Sequence, residues 1–291
     1  MPTQTAPTPA DARAPRAALL RGFSAEITAR DRKGLDAAPD ILTPGTEVFI
    51  AAIPGETVER IVAAAVALRA AKMIPVPHIV ARNLESRAQF EDLLNRLVGE
   101  AGLDRVLMLG GDRDKSVGPY SSSLELIETG VVQGLGIKKM FIACYPEGHP
   151  RVADAVLEQA RADKLAVAAR QGLDITLVSQ FCFDPKPIVA LAERMRAQGV
   201  TQPFRVGVAG PAEHATLIKY ALMCGVGASM RALKERQDLA RSVMSGETPA
   251  GLLDDVGKAQ SANPALNISG VHFFTFGALA KSAHWAHEQM R

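Results

Sequence analysis

Arg105-Val106-Leu107-Met108-Leu109-Gly110-Gly111-Asp112, residues 105–112, reads as a short buried strand that stops at paired glycines and a carboxylate. A continuous apolar run bounded by turn formers suits a strand covered on both faces. The same design recurs along the chain. Residues 22–25 run into Glu26, and residues 73–77 run into His78. Residues 141–144 run into Tyr145, with His149 close behind, and residues 173–179 run into Gln180. One such ending is noise. A series of them, separated by helix-like segments, describes one surface carrying polar side chains. A barrel of parallel strands gathers its reactive residues at the C-terminal ends of its strands.

Working outward, strands are expected at 22–28, 47–53, 73–80, 105–109, 139–144, 175–181, 204–208 and 271–276. Helical patterns fill the intervals. Thr57 is a candidate cap for a helix with Val58, Ile61, Val62, Ala65 and Leu68 on one face. Phe90, Leu93, Leu94 and Leu97 mark another over 86–100. Further helices are expected after Pro119 as far as Val132, and over 152–171, 185–198, 213–223, much of 228–245, and 277–290. Alternating strands and helices predict an α/β fold, a single-domain (β/α)8 TIM barrel over residues 21–291. An open doubly wound sheet is the structural alternative. Residues 1–20, rich in Ala, Pro and Thr, read as a flexible N-terminal tail with room for a short helix from Ala10.

Composition narrows the function classes. The chain has 291 residues, 47% of them hydrophobic, enough for a sizeable core. Its 33 basic and 31 acidic residues leave a net charge of +2, with no basic stripe to argue for nucleic acid. No apolar run approaches the ~18 residues of a membrane span, and residues 17–20 are too short for a signal core. The three cysteines, Cys144, Cys182 and Cys224, lack metal-ligand spacing and suit a reduced compartment. The expectation is a cytoplasmic protein, a homo-oligomer, with no membrane, nucleic-acid or metal partner.

The polar endings carry the candidate chemistry. Paired glycines before Asp112 let backbone amides approach a flat ligand, although an ordinary strand-to-helix turn reads the same way. The spacing is no dinucleotide fingerprint. Tyr145-Pro146-Glu147-Gly148-His149-Pro150 is denser in polar and rigid residues than a plain turn requires. Glu26 is a carboxylate in an apolar strand. Burial would raise its pKa and suit a general acid, and a buried ion pair with an arginine is the competing explanation. Gln180 offers a donor and an acceptor to a heterocycle edge, or a core amide satisfied by backbone. His214, His272, His284 and His287 read as surface or packing residues, and Phe273, Phe274 and Trp285 as core.

Together these residues resemble a family, the single-domain bacterial methylenetetrahydrofolate reductases. Ala143-Cys144-Tyr145-Pro146-Glu147-Gly148-His149-Pro150 is similar to that family's A-x-Y-P-E-x-H-P. Ser179-Gln180-Phe181-Cys182-Phe183-Asp184 resembles its T-Q-F-F-F-D, and Leu109-Gly110-Gly111-Asp112 its L-R-G-D. Phe23-Ser24-Ala25-Glu26 resembles the first-strand F-E-F segment, and Pro77-His78 the third-strand P-H. The resemblance implies FAD held noncovalently at the C-terminal face, reduced by NADH or NADPH. The reaction it implies interconverts 5,10-methylenetetrahydrofolate and 5-methyltetrahydrofolate. Glu26 would be the acid that protonates the folate nitrogen, and Asp112 would tune charge on folate and flavin. Gln180 would bind folate. His78, Leu109, Asp112, Tyr120, Ser122, Ala143, Tyr145 and His149 would contact FAD.

The chain also departs from the family's pattern. Ala51-Ala52-Ile53-Pro54-Gly55 stands where a T-Y-G is usual, and Gly110 replaces an arginine. The basic residues expected against the FAD phosphates are replaced by Lys164 or Arg161. The last strand reads His272-Phe273-Phe274-Thr275-Phe276-Gly277-Ala278 where H-F-Y-T-L-N-R is usual. Residues 230–234 lack the aromatic on which the family stacks nicotinamide. These differences admit an enzyme run in the oxidative direction. They also admit a folate-binding barrel without redox turnover that serves methyl transfer. A flavin-free aldolase or lyase would need a Schiff-base lysine or a metal cluster at strand ends.

Overall fold

Each apolar run pairs in parallel with the next, and the eighth pairs back with the first, so the sheet closes on itself. The computed structural model describes residues 9–226 and 248–291. Its strands are β1 (Ser24–Thr28), β2 (Glu47–Ala51), β3 (Ile74–Val80), β4 (Arg105–Leu109), β5 (Lys139–Cys144), β6 (Asp174–Ser179), β7 (Phe204–Ala209) and β8 (Ile268–Phe274). β4 and β5 have the bounds read from sequence, and the others differ by a few residues at an end. The chain is a single-domain (β/α)8 barrel, not an open sheet.

The helices around it are α1 (Pro9–Leu20), α2 (Arg32–Ile41), α3 (Val58–Ala70), α4 (Arg87–Ala101), α5 (Ser123–Glu128), α6 (Val131–Gly134), α7 (Asp154–Arg170), α8 (Pro185–Ala197), α9 (His214–Met223), α10 (Ala250–Ala262) and α11 (Leu279–Gln289). Their ends follow local chemistry. Ser86 Oγ accepts from Gln89 N–H to open α4, and Gly102 closes it in the left-handed region. Asp184 caps α8, with Pro185 in its first turn. The helix expected as far as Val132 is broken in two at Gly130, whose φ is +72°. The helix expected within 228–245 lies outside the described residues.

Residues 9–20 correct the reading of a flexible tail. They form α1, which bears on α10, β8 and α11. Leu19 and Leu20 are buried, and Arg16 pairs with Asp254 at 3.1 Å. Gly257 of α10 lets Pro15 approach closely, since a Cβ there would lie 2.9 Å from Pro15 Cβ. The alanine-rich segment forms a helix because α10 and the sheet cover its apolar side. Residues 1–8 lie outside the described residues.

Strand alternation sends one set of side chains into the bore, where they form layers. Phe49, Val76, Leu107, Phe141 and Val178 make a buried apolar middle. Phe49 and Phe141 meet with ring centroids 4.8 Å apart. Below them the floor is charged: Glu47 accepts from Arg105 and Arg205 at 2.5 Å each and lies 3.2 Å from Lys139 Nζ. The open site is therefore at the other, C-terminal end.

β6 and β7 approach so closely that only glycine fits at residue 207. A Cβ there would lie 2.1 Å from Ser179 O and 2.8 Å from Phe274 Cε2. Ser179 Oγ accepts the Gly207 N–H at 2.8 Å. Gly207→Ala is expected to destabilise the fold by about 1–3 kcal/mol through overpacking. Denaturant unfolding checks this, and an unchanged midpoint would show that the strands part without cost.

Candidate active site

The polar residues that interrupt the apolar runs do not sit at one height. Glu26 and His78 lie inside β1 and β3 and point into the bore above the apolar layer. Gln180 and Tyr145 follow β6 and β5 directly, and Asp112 lies beyond β4 on a loop. The strand endings thus form a pit with a rim.

Glu26 occupies the pit with two imidazoles. Its Oε2 is 3.2 Å from His78 Nε2 and 3.8 Å from His272 Nε2. Its side chain keeps 18% exposure, against 10% for His78 and 2% for His272. His78 Nε2 is buried and makes no aligned hydrogen bond, so the nearby carboxylate faces it without fully satisfying it. The opposite nitrogen of His272 lies 2.9 Å from Ser24 Oγ. Thr275 Oγ1 donates to the Glu26 carbonyl at 2.5 Å and fixes β1 at this point.

These contacts correct the expected protonation of Glu26. Burial pushes its pKa up, but the neighbouring His272 and His78 imidazoles outweigh burial and hold it at about 2. The carboxyl rests ionised, not neutral, and its partners are histidines, not an arginine. Burial pulls His272 below the ordinary imidazole range, against the opposing pull of Glu26. His272 is therefore a member of the pit, where the sequence suggested a packing residue.

An aromatic wall flanks the carboxylate. The Phe49 and Phe274 ring centroids lie 4.4 and 5.0 Å from that of His272. Phe181 touches Phe274 and Phe276 at 5.2 and 5.3 Å. Phe276 stacks on Tyr220 of α9 at 4.3 Å and 17°. Phe276 holds φ at +51°, where a bulky side chain is rarely found, so the surroundings impose its placement. Phe273 and Trp285 pack in the core as expected, while half-buried Phe274 faces the mouth. The segment after α9 reaches over this side. A Cβ on Gly225 would meet Pro150 Cγ at 2.6 Å, and burial and then the charges of Glu26 and Asp112 push the Cys224 thiol up to about 11.

The rim differs from expectation. Asp112 is 97% exposed, 3.6 Å from Arg151 Nη2, and does not share the low-dielectric pit with Glu26. Its loop is braced instead through backbone: Arg151 Nη2 donates to Asp112 O at 2.7 Å, and Arg82 Nη1 to Arg113 O at 2.8 Å. Tyr145 and His149 meet edge to face at 5.0 Å. Burial and the charge of Asp112 hold the Tyr145 phenol neutral up to about 12, and burial and Arg151 pull the His149 imidazole down. Gln180 Oε1 accepts the Phe181 N–H at 3.0 Å, while its amide nitrogen has no hydrogen bond among the described residues.

The remaining candidates divide. Leu109 and Ala143 end inward-facing positions of β4 and β5. Tyr120 is buried against Phe90, and Ser122 caps α5 in a reciprocal box with Glu125, so both have structural work of their own. Lys164 lines a small cavity with Ala143, Tyr145, Asp154, Glu158, Arg161 and Arg194. Burial pulls the Lys164 ammonium below the ordinary lysine range, and it makes no ion pair or hydrogen bond among the described residues. Arg161 is buried, donates to Gln198 Oε1 at 2.5 Å, and keeps its Nε without a partner. Residues 230–234, expected to lack the nicotinamide aromatic, lie outside the described residues. No group of His, Cys, Asp or Glu suited to hold a metal occurs among the described residues, and no described helix is long and apolar enough to cross a membrane. The sequence matches no protein-family model.

Proposed function

We propose that this barrel is a flavin-dependent oxidoreductase that interconverts 5,10-methylenetetrahydrofolate and 5-methyltetrahydrofolate, with FAD as cofactor and NADH or NADPH as donor. The observation that carries the reading is the pit. One ionised carboxylate backed by two imidazoles stands beside a wall of aromatic rings, at the open end of a barrel. Such a wall accepts a flat heterocycle, and the carboxylate supplies charge and a proton route at its edge.

The residues present suit FAD. Lys164 and Arg161 line one cavity with Arg194, Asp154 and Glu158, and they are the cations there without an ion pair among the described residues, which makes them the partners we assign to the FAD diphosphate. Ala51, Leu109 and Ala143 leave small or apolar side chains on the inward positions of their strands. Bound flavin would supply hydride transfer at N5; the protein supplies position and field. Glu26 stands at the mouth to move a proton to the folate nitrogen. The free amide nitrogen of Gln180 is a donor for a pterin edge. The ring cluster from Phe181 to Tyr220 excludes water from that face.

Ala51-Ala52-Ile53-Pro54-Gly55 favours a second reading, a folate-binding barrel that does not hold flavin. Arg30 ties this loop down by donating to Gly55 O at 2.7 Å and by pairing with Glu56 at 3.2 Å. The visible spectrum separates the two. Protein that is yellow, or that gains flavin absorbance when FAD is added, supports the oxidoreductase. Colourless protein that binds folate and takes up no FAD sinks it. Lys164→Gln is expected to weaken FAD about tenfold, equivalent to about 1.4 kcal/mol, measured by fluorescence titration. Undiminished affinity would remove the lysine from the cofactor site.

A further inference from the structure

Glu26 meets the barrel mouth, and His78 Nε2 stands 3.2 Å behind its Oε2. We propose that Glu26, His78 and His272 form a proton relay, in which His78 stores the proton at Nε2 and passes it through Glu26 into the barrel mouth. His272, anchored by Ser24, positions the carboxylate.

The geometry argues for this order. His78 Nε2 is fully buried and lies 3.2 Å from Glu26 Oε2, the acceptor it meets among the described residues. Glu26 keeps 18% exposure and is the member that meets the mouth. His78 Nδ1 makes no hydrogen bond among the described residues, which leaves it free to take up the next proton in the proposed relay. An imidazole with one nitrogen toward a carboxylate and the other free conducts a proton by exchanging tautomers.

His272 reports the same sharing. Ser24 Oγ lies 2.9 Å from its Nδ1 and also within 3.5 Å of Val271 O. The hydroxyl has one proton. If it donates to Val271 O, His272 must donate from Nδ1, and a neutral ring then turns a lone pair toward Glu26. That arrangement is repulsive unless the pit holds a proton between them. If the hydroxyl donates to Nδ1 instead, Nε2–H points to Glu26. The orientation of Ser24 and the proton count of the pit are therefore linked. Other charged or titratable groups acting on the cluster are Arg205 from β7, which opposes a charge on His272, and Cys224 after α9.

Delivery to folate rests on the function proposed above. There the His78 Nε2–H bond breaks and a Glu26 O–H bond forms. That O–H bond then breaks as N–H forms on folate N10. The bond from N10 to the methylene carbon breaks with its electron pair to N10, while the N5 lone pair closes the iminium. Glu26 returns ionised and the imidazole neutral, ready to take a proton at Nδ1.

Nitrogen-15 spectra of histidine-labelled full-length protein test the relay without flavin or folate. His78→Gln and His272→Gln assign the two signals. Over a pH series, both are expected to shift across one shared interval, and Glu26→Gln is expected to abolish that coupling. Ser24→Ala, which removes only a hydroxyl, should change the tautomer balance of His272 and serves if a histidine variant does not fold. Independent titration of the two rings, unmoved by Glu26→Gln, would overturn the relay even in an active flavoprotein. Coupled titration in a protein that never binds FAD would uphold the relay and refute the oxidoreductase.

Discussion

Glu26→Gln is expected to keep FAD bound and reducible by a nicotinamide, while the folate half-reaction falls by about 10²–10⁴-fold, the usual worth of a positioned acid–base group. Glutamine fills the same space between His78 and His272 and removes the charge. It can neither accept the proton held at His78 nor release one into the mouth. Asp112 cannot replace it, because that carboxylate is 97% exposed and its field is screened by water. Stopped-flow measurements separate the halves, with reduction by NADH or NADPH in one and reoxidation by methylenetetrahydrofolate in the other. Equal loss in both would mean that Glu26 shapes the cofactor site and moves no proton.

The barrel was legible because its strands are buried on both faces and so read as continuous apolar runs. α2 and α10 were not. α2 contains Gly34 and Pro39, both poor helix formers, yet Asp31 caps it by accepting from Gly34 N–H at 2.9 Å. In α10 the buried side is small, Leu253, Val256 and Gly257, and its packing against α1 is tertiary information. Glu26 and His78 stood out as polar breaks in apolar runs. His272 stood in such a run too, two residues before Phe274 and therefore on the same face of β8. Its register opposite Ser24 was the missing fact. Asp112 misled because two glycines put it past the strand end, where depth cannot be judged from spacing.

β2, β4, β5, β6 and β7 all open with a charge at or next to their first residue, and Glu47, Arg105, Lys139 and Arg205 of β2, β4, β5 and β7 meet one another. That was the signal for a charged floor, and the largest stability effect should come from it. Glu47→Gln is expected to destabilise the protein by about 3–5 kcal/mol, because breaking one partner of a buried pair leaves uncompensated charge. Asp104 still pairs with Arg105 at 2.7 Å, but among the described residues Lys139 and Arg205 are left with the Phe141 ring, at 5.0 and 5.9 Å. Burial pushes the Glu47 pKa up, while Arg205, Lys139 and Arg105 outweigh it and hold it below 4.5. A carboxyl whose pKa falls on folding contributes its full stability above its unfolded value. That contribution drains away as pH drops through the folded value. Wild-type protein should therefore lose melting temperature below about pH 4.5, and Glu47→Gln should show a lower melting temperature at neutral pH with a flatter acid slope. Replacing the whole floor with apolar residues of similar volume should cost less than removing Glu47 alone, since the penalty lies in the stranded cations. Melting curves at pH 7 and pH 4 decide it. A Glu47→Gln variant as stable as wild type at both would show that the cations do not depend on their carboxylate.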